Sequence, residues 1–191
     1  NTLNINDSFF RSKNLSFKNE SFITLEPFFN SKSKFDIEEI DGQFFKQLKI
    51  DELLNSKNIL KKINTKNEIN FSSRKFNRSF FDKLNLKFDL AYGRLNYSKK
   101  LLISDDVIQC KGNVNLLEEF PLLSFDCSIN SENKRDLLKK FNIDVKNDNK
   151  TFNLNFKGNL SILNQKINFK DISLNENYKA SNEDLNYFKE S

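Results

Sequence analysis

The sequence predicts a β-rich α+β fold, in which a twisted antiparallel sheet carries a few amphipathic helices. From residue 67 onward, apolar and polar residues alternate with a period of two, which is typical of strands with one apolar and one solvated face. A few other segments repeat apolar residues at helical spacing. We therefore divide the chain into short strands with one helix (1–66), the antiparallel sheet (67–175) and the start of a C-terminal helix (180–191).

The first part of the chain combines two patterns. Residues 1–45 contain short apolar pieces separated by Ser, Asn and Lys, which predict short strands in a meander. In residues 46–63 the leucines and isoleucines recur near helical spacing, Asp51 and Glu52 come early, and two lysines come late. This charge order suits the helix dipole, so we predict an amphipathic helix there. The sequence leaves open whether these strands join the later sheet.

The later strands share one apolar phase, and we call the side of the sheet on which these residues would lie the apolar face. The phase shifts by one residue before Ile172, which predicts a β-bulge. The predicted members of the apolar face are Leu84, Leu86, Phe88, Leu90, Ile108, Gly112, Val114, Leu123, Phe125, Ile129, Phe152, Leu154, Phe156, Gly158, Leu160, Ile162, Ile167 and Phe169.

Two further helices interrupt or follow the strands. Residues 131–141 place three apolar side chains on one side of a helix. Residues 180–190 open with Ser181 and Asp184, which resembles a capping box. The chain contains no Met and stops inside this last helix. We therefore expect it to be a segment of a longer protein.

Hairpin arithmetic brings the two cysteines together. A turn centred on 118–119 sets Cys110 opposite Cys127 and Gly112 opposite Phe125. The cysteines could form a cross-strand disulfide, or they could be two small buried apolar residues. No His and no second Cys pair accompanies them, so the sequence favours neither a metal site nor redox catalysis.

The segment KGNVNLL at 111–117 is repeated as KGNLSIL at 157–163, and each copy has a glycine inside a predicted strand. A turn at 164–165 sets Leu160 opposite Phe169 and, after the bulge, Gly158 opposite Ile172. Glycine within a strand marks a bend or a close approach of another group. The repeated glycines therefore indicate either a strand kink beneath an aromatic neighbour or room for a ligand.

A third hairpin turns at 92–93. It sets Leu90 opposite Leu95 and Phe88 opposite Tyr97, so both pairs fall on the apolar phase.

Catalytic and cofactor motifs are missing from the sequence. The absence of His excludes the Ser-His and Cys-His dyads, and no Gly-rich phosphate loop or metal-spaced acidic cluster is present. Adjacent carboxylates on a strand point to opposite faces and do not converge. We expect no catalytic residues, no metal and no cofactor. The net charge of +5 comes from scattered lysines in a composition typical of AT-rich codons, so we expect no nucleic-acid partner.

About half to two-thirds of the chain resembles a known family. The stretch reads NEINFSSRKFNRSFFDKLNLKFDLAYGRLNY, then VIQCKGNVNLLEEFPLLSFDCSI, ENKRDLLKKFNI and FNLNFKGNLSILNQKINFKDISL. Alternating strands with sparse glycines, interrupted by a Leu-Leu-Lys helix, resemble the AsmA-like family of bacterial envelope proteins, to which TamB and YhdP belong.

The resemblance implies a long β-groove that is apolar inside and polar outside. It also implies anchoring in the inner membrane through a flanking segment, projection into the periplasm, and a role in phospholipid transport or outer-membrane homeostasis. The expected partners are phospholipid acyl chains, whose burial is worth about 0.8 kcal/mol per CH₂.

Two functions remain open from the sequence. In the first, the apolar face is a groove for lipid. In the second, the helices over 46–63 and 131–141 pack on this face and close the core of a structural or interaction module. Whether the face is covered by protein or left open distinguishes them.

Overall fold

A computed structural model of the chain describes residues 1–13, 15–40, 54–72, 81–144, 150–175 and 177–190. In the part of the chain that the structure describes, eleven strands form one open sheet in chain order. The strands are β1 (Thr2–Arg11), β2 (Leu15–Thr24), β3 (Phe29–Ile40), β4 (Ile63–Ser72), β5 (Lys83–Ala91), β6 (Arg94–Ile103), β7 (Asp106–Asn115), β8 (Leu122–Ser131), β9 (Phe152–Ser161), β10 (Ile167–Leu174) and β11 (Tyr178–Lys179). The described residues also form three short helices, α1 (Lys57–Leu60), α2 (Lys134–Lys140) and α3 (Asn182–Glu190).

The β-rich α+β prediction is confirmed, with one exception to antiparallel pairing. β3 and β4 run parallel, with Phe29 opposite Ile63, while all other neighbours are antiparallel. The strands predicted over 1–66 therefore belong to the same sheet, and β4 crosses the 66/67 boundary. The prediction of short N-terminal strands is wrong, because β1 and β2 have 10 residues each and β3 has 12.

The helix predicted over 46–63 extends too far at its C-terminal end, and its first part, 46–53, lies outside the described residues. α1 ends at Leu60, and Ile63 already begins β4. A strand between two neighbours satisfies its backbone groups on both sides, which outweighs a weak helical pattern.

The other two predicted helices are present. The first starts later than predicted, and the second has the predicted capping box at its start. α2 lies inside the predicted 131–141, since Ser131 still belongs to β8 and Asn133 caps the helix by accepting a bond from the backbone N–H of Asp136 (3.3 Å). The capping box of α3 is confirmed. The Asp184 N–H donates to the Ser181 hydroxyl (3.2 Å), and the Ser181 N–H donates to the Asp184 carboxylate (2.8 Å).

The hairpin registers agree with the predictions in two cases out of three. The β5–β6 pairs form as predicted. In β7–β8, Cys110 faces Cys127, but the ladder ends with Lys111 opposite Asp126, so the predicted pair of Gly112 with Phe125 lies beyond it. There the Ser124 hydroxyl replaces a backbone partner, since it bonds both the N–H (3.0 Å) and the carbonyl (3.1 Å) of Asn113.

The predicted β9–β10 register is wrong by two residues. Leu160 faces Ile167 and Gly158 faces Phe169, because the turn spans 162–166 instead of two residues. A bond from the Ser161 N–H to the Lys166 carbonyl (2.9 Å) closes this wider turn. The predicted bulge is confirmed, since the register shifts between Phe169 and Asp171.

The side of the sheet opposite the apolar face, which we call the polar face, carries a row of charges that crosses nine strands. The charges alternate in sign around one neutral serine, and Lys87 lies 3.7 Å from Glu68 while Lys157 lies 3.3 Å from Asp126. Opposite charges on facing strands stabilise one register and penalise others. In strand order the row is Glu20, Lys34, Glu68, Lys87, Ser98, Lys111, Asp126, Lys157 and Asp171.

A second polar contact crosses the parallel junction. The Asn70 side-chain amide donates to the Asp36 carboxylate (3.0 Å), and this bond holds the pKa of Asp36 below its ordinary value. Lys34 lies 3.2 Å from the same carboxylate, which raises the pKa of Lys34. These contacts connect β3 to β4 on the polar face.

Candidate functional site: the apolar face

The structure brings the predicted residues of β5 to β10 to one side of the sheet. Facing residues of paired strands project to the same side, so each cross-strand row can be followed through the registers. Phe152 lies at one end of this side, opposite Ser131, and Ile162 lies in the β9–β10 turn. The rows are Leu84–Leu101–Ile108–Ile129–Leu154–Leu174, Leu86–Lys99–Cys110–Cys127–Phe156–Ile172, Phe88–Tyr97–Gly112, Phe125–Gly158–Phe169, Leu90–Leu95–Val114 and Leu123–Leu160–Ile167.

The apolar face continues into β1 to β4, although the residues predicted for this face begin only at Leu84. Phe10 and Phe17 stack with ring centroids 5.1 Å apart, and Phe17 meets Phe35 edge-on at 5.5 Å. The cross-strand row of Phe10 and Phe17 continues through Ile37 and Phe71 to Leu84 on β5. The phenylalanines of the first strands could have indicated that the apolar face extends to them, but the sequence did not show which strands they pair with.

A polar patch interrupts the apolar face on β2 to β4. The Ser31 hydroxyl donates to Thr65 Oγ1 (2.6 Å), and the Asn67 amide donates to the same oxygen (2.9 Å). The hydroxyls of Ser21 and Ser33 lie 2.9 Å apart. These groups satisfy one another across the strands, so this part of the face is polar but uncharged.

The two repeated glycines lie close to a backbone carbonyl and to an aromatic ring, with the Ser124 carbonyl nearest to Gly112 and the Asn168 carbonyl nearest to Gly158. A Cβ added to Gly158 would lie 2.6 Å from Phe125 Cζ, and one added to Gly112 would lie 2.8 Å from Tyr97 Cε1. Real Cβ atoms do not come within 3.0 Å of such non-bonded atoms. The Phe125 ring therefore lies over β9, which favours the interpretation of a glycine beneath an aromatic neighbour.

Because Gly158 has no side chain, Phe125 reaches across β9 to Phe169 on β10, with ring centroids 5.9 Å apart. Phe156 contacts both, at 6.0 and 6.2 Å, and Phe188 of α3 meets Phe169 at 6.3 Å. All four contacts are edge-to-face, the favoured geometry for aromatic pairs. We call these four residues the aromatic cluster.

A disulfide joins Cys110 to Cys127 on the apolar face, with their Cα atoms 4.1 Å apart. The sequence left open whether the two cysteines form a cross-strand disulfide or are small buried apolar residues, and in the structure they form the disulfide. It connects β7 to β8 just before their ladder ends.

Helices cover the two ends of the apolar face in the described part of the chain. Leu54 and Leu60 of the α1 segment are buried against Val114 and Leu116. The Lys57 ammonium of α1 donates to the carbonyls of the β7–β8 loop at 3.3 and 3.0 Å.

At the opposite end, α2 places Leu137, which is 1% exposed, near the β6–β7 turn. Ile103 and Ile108 of these strands are also buried, and Lys140 bonds Ser104 in the turn.

The middle of the apolar face is only half-buried. Phe88, Tyr97, Phe125 and Phe156 all retain partial exposure, and Ile167 near the β10 edge is 44% exposed. Burial raises the pKa of the Tyr97 phenol above its ordinary value. The centre of this face therefore offers apolar and aromatic surface that still meets solvent.

The polar face bears shallow pockets with charged linings. One, of about 750 Å³, is lined by residues that include Lys18, Asp36, Asn70 and Lys100. A second, of about 540 Å³, is lined by lysines and acidic residues of β2 to β5. Mixed charges of this kind suit a solvated surface.

Within the described ranges, no three His, Cys, Asp or Glu side chains come together as a metal site would require. No helix in this part of the chain has the length and apolarity needed to cross a membrane.

Comparison of the chain with models of known protein families, with curated proteins and with solved structures gives no match. The AsmA-like assignment therefore stays a prediction that only the resemblance supports.

Proposed function

We propose that this chain is a non-enzymatic lipid-binding segment, in which the apolar face holds the acyl chains of phospholipid. The observation that carries the proposal is the half-buried apolar surface that extends from β5 to β10 and is interrupted by Lys99 on β6. Soluble monomers rarely leave large contiguous apolar patches in contact with solvent. Acyl chains would cover such a surface without directional contacts.

The distribution of polarity supports the same role. The polar face carries alternating charges, whereas between β5 and β10 the opposite face carries leucines, isoleucines and aromatic rings. The helices cover its ends and leave its centre half-buried. A long apolar strip with a solvated back is what an open lipid conduit requires.

The disulfide supports an oxidising compartment, since such bonds are rare in the cytosol and persist in the periplasm and outside cells. The periplasm is such a compartment. From the family resemblance alone, our proposal also includes the periplasmic side of a bacterial inner membrane, an anchor in a flanking segment, and a place in the AsmA-like family.

A second candidate is an interaction module with a closed core. The packing of Leu54 and Leu60 on the sheet favours it, as does the contact of Phe188 with Phe169. In this case protein would cover the apolar face and the chain would bind no lipid.

The test is native mass spectrometry of the protein purified from a bacterial envelope, with lipid extraction in parallel. We expect co-purified phospholipid, and we expect Phe125→Asp or Phe156→Asp to abolish it while the circular dichroism spectrum is retained. The matched control is Leu122→Asp, since Leu122 also lies on β8 but is 48% exposed and projects from the polar face. A monodisperse, lipid-free wild-type protein would instead support the closed module.

A further inference from the structure

One lysine lies in the middle of the apolar face. Lys99 on β6 is opposite Leu86 on one side and Cys110 on the other, and it is half-buried. Tyr97, two residues earlier, projects to the same side. All other residues in the cross-strand rows given above for β5 to β10 are uncharged.

Lys99 makes no ion pair and no side-chain hydrogen bond with a described residue. The acidic residue on the same side of β7 is Asp106, opposite Ile103. It lies four residues from Cys110, which corresponds to about 13 Å along the strand. Among the described residues, the register therefore places no carboxylate near the ammonium on this face.

An unpaired ammonium is costly in a dry protein core, because desolvation of a charge is repaid only by a well-placed partner. Lys99 can lie here if this part of the face meets water or an anion. A pure hydrocarbon ligand would desolvate the lysine without compensating it. A lipid that carries a negative charge beside its acyl chains would cover the apolar rows and pair with the ammonium.

We propose that Lys99 binds the headgroup phosphate of a phospholipid whose acyl chains lie on the apolar face, and that the site prefers anionic over zwitterionic lipid because the lysine repels the cation of a zwitterionic headgroup. The Tyr97 hydroxyl projects from the same strand and can donate a further bond to the phosphate. This inference rests on the proposed function and adds the headgroup class to it.

The experiment measures binding of acyl-labelled phosphatidylglycerol and acyl-labelled phosphatidylcholine with identical chains to the full chain. We expect the wild type to bind the anionic lipid about tenfold more tightly, which corresponds to about 1.4 kcal/mol, because the choline cation of the zwitterionic lipid is repelled by Lys99 and offsets the attraction of its phosphate. Lys99→Leu should bring the ratio close to one, and Lys99→Arg should keep it. The matched control is Lys100→Leu, which removes the same charge from the adjacent, exposed position on the polar face.

The outcomes separate this inference from the proposed function. If both lipids bind equally to the wild type, or if Lys99→Leu keeps the preference, the proposed selection of anionic headgroups by Lys99 is wrong while lipid binding stands. If neither lipid binds, the proposed function fails as well. A loss of preference in Lys100→Leu equal to that in Lys99→Leu would mean that net charge, and not this site, selects the lipid. Glycerol phosphate without acyl chains should not compete, and competition would overturn the assignment to lipid.

Discussion

Replacement of Gly158 by alanine tests how the apolar face is built. In an ordinary strand position, glycine is less stable than alanine by about 0.5–1 kcal/mol, so the change would be expected to stabilise. Here the new Cβ would lie 2.6 Å from Phe125 Cζ and would also meet the carbonyl oxygen of Asn168. The ring can move, but the carbonyl belongs to the β10 backbone.

Overpacking of a well-packed site costs about 1–3 kcal/mol. Set against the gain expected from alanine, this cost makes Gly158→Ala destabilising by about 1–2 kcal/mol. Urea unfolding followed by circular dichroism should show a midpoint lower by roughly 0.5 M with an unchanged slope.

The double variant Gly158→Ala with Phe125→Leu identifies the source of the cost. Leucine lacks the ring atom that the new Cβ would meet, so the two changes should be less destabilising together than the sum of the single changes, by at least about 0.5 kcal/mol. A Gly158→Ala protein as stable as the wild type would refute the close approach. Strict additivity would refute the role of the ring and leave only the backbone contact.

Further predictions concern the helix, the disulfide and the parallel junction. Leu60→Ala should lower the free energy of unfolding by about 2–5 kcal/mol, because Leu60 is 1% exposed. Ile59→Ala on the same helix should have little effect, because Ile59 is 59% exposed. Equal losses of stability in chemical denaturation would contradict the packing of α1. Reduction of the β7–β8 disulfide should cost about 3 kcal/mol, given its sequence separation of 17 residues, and unchanged stability in reductant would show that it contributes nothing. The bond from Asn70 holds the pKa of Asp36 in the folded protein below its ordinary value of 3.8. The stabilisation from this carboxylate is therefore present above pH 3.8 and is lost as the pH falls through the lower pKa of the folded state. Asp36→Asn should flatten this part of the acid-unfolding curve, and an unchanged curve would contradict the linkage.

The lengths of the hairpin turns show why some strand registers could be predicted from the sequence and one could not. The two-residue turn at Tyr92–Gly93 follows from local preference, and the β5–β6 pairs follow from it. The β9–β10 turn contains 162–166, and its width depends on a bond between Ser161 and Lys166 that no local pattern announces. A longer turn shifts the facing residues but keeps the face, because a shift of two preserves the side-chain period.

The sequence by itself determined the side of the sheet on which each residue of β5 to β10 lies. Alternation with a period of two is a property of the extended backbone, so it needs no knowledge of the partners. It also determined the capping box of α3, since Ser181 and Asp184 are only three residues apart. Both features depend on short stretches of chain.

Only the tertiary structure decided which strands pair outside the three predicted hairpins and what covers the apolar face. The parallel pairing of β3 with β4, the contact of Phe125 with Phe169 across Gly158 and the placement of Leu60 against Val114 each join residues far apart in the chain. Lys99 stood out for the same reason, because its isolation is a property of the strands on either side of it. Contacts of this kind depend on the packing of the whole sheet, and a periodic pattern in one strand carries no information about its neighbours.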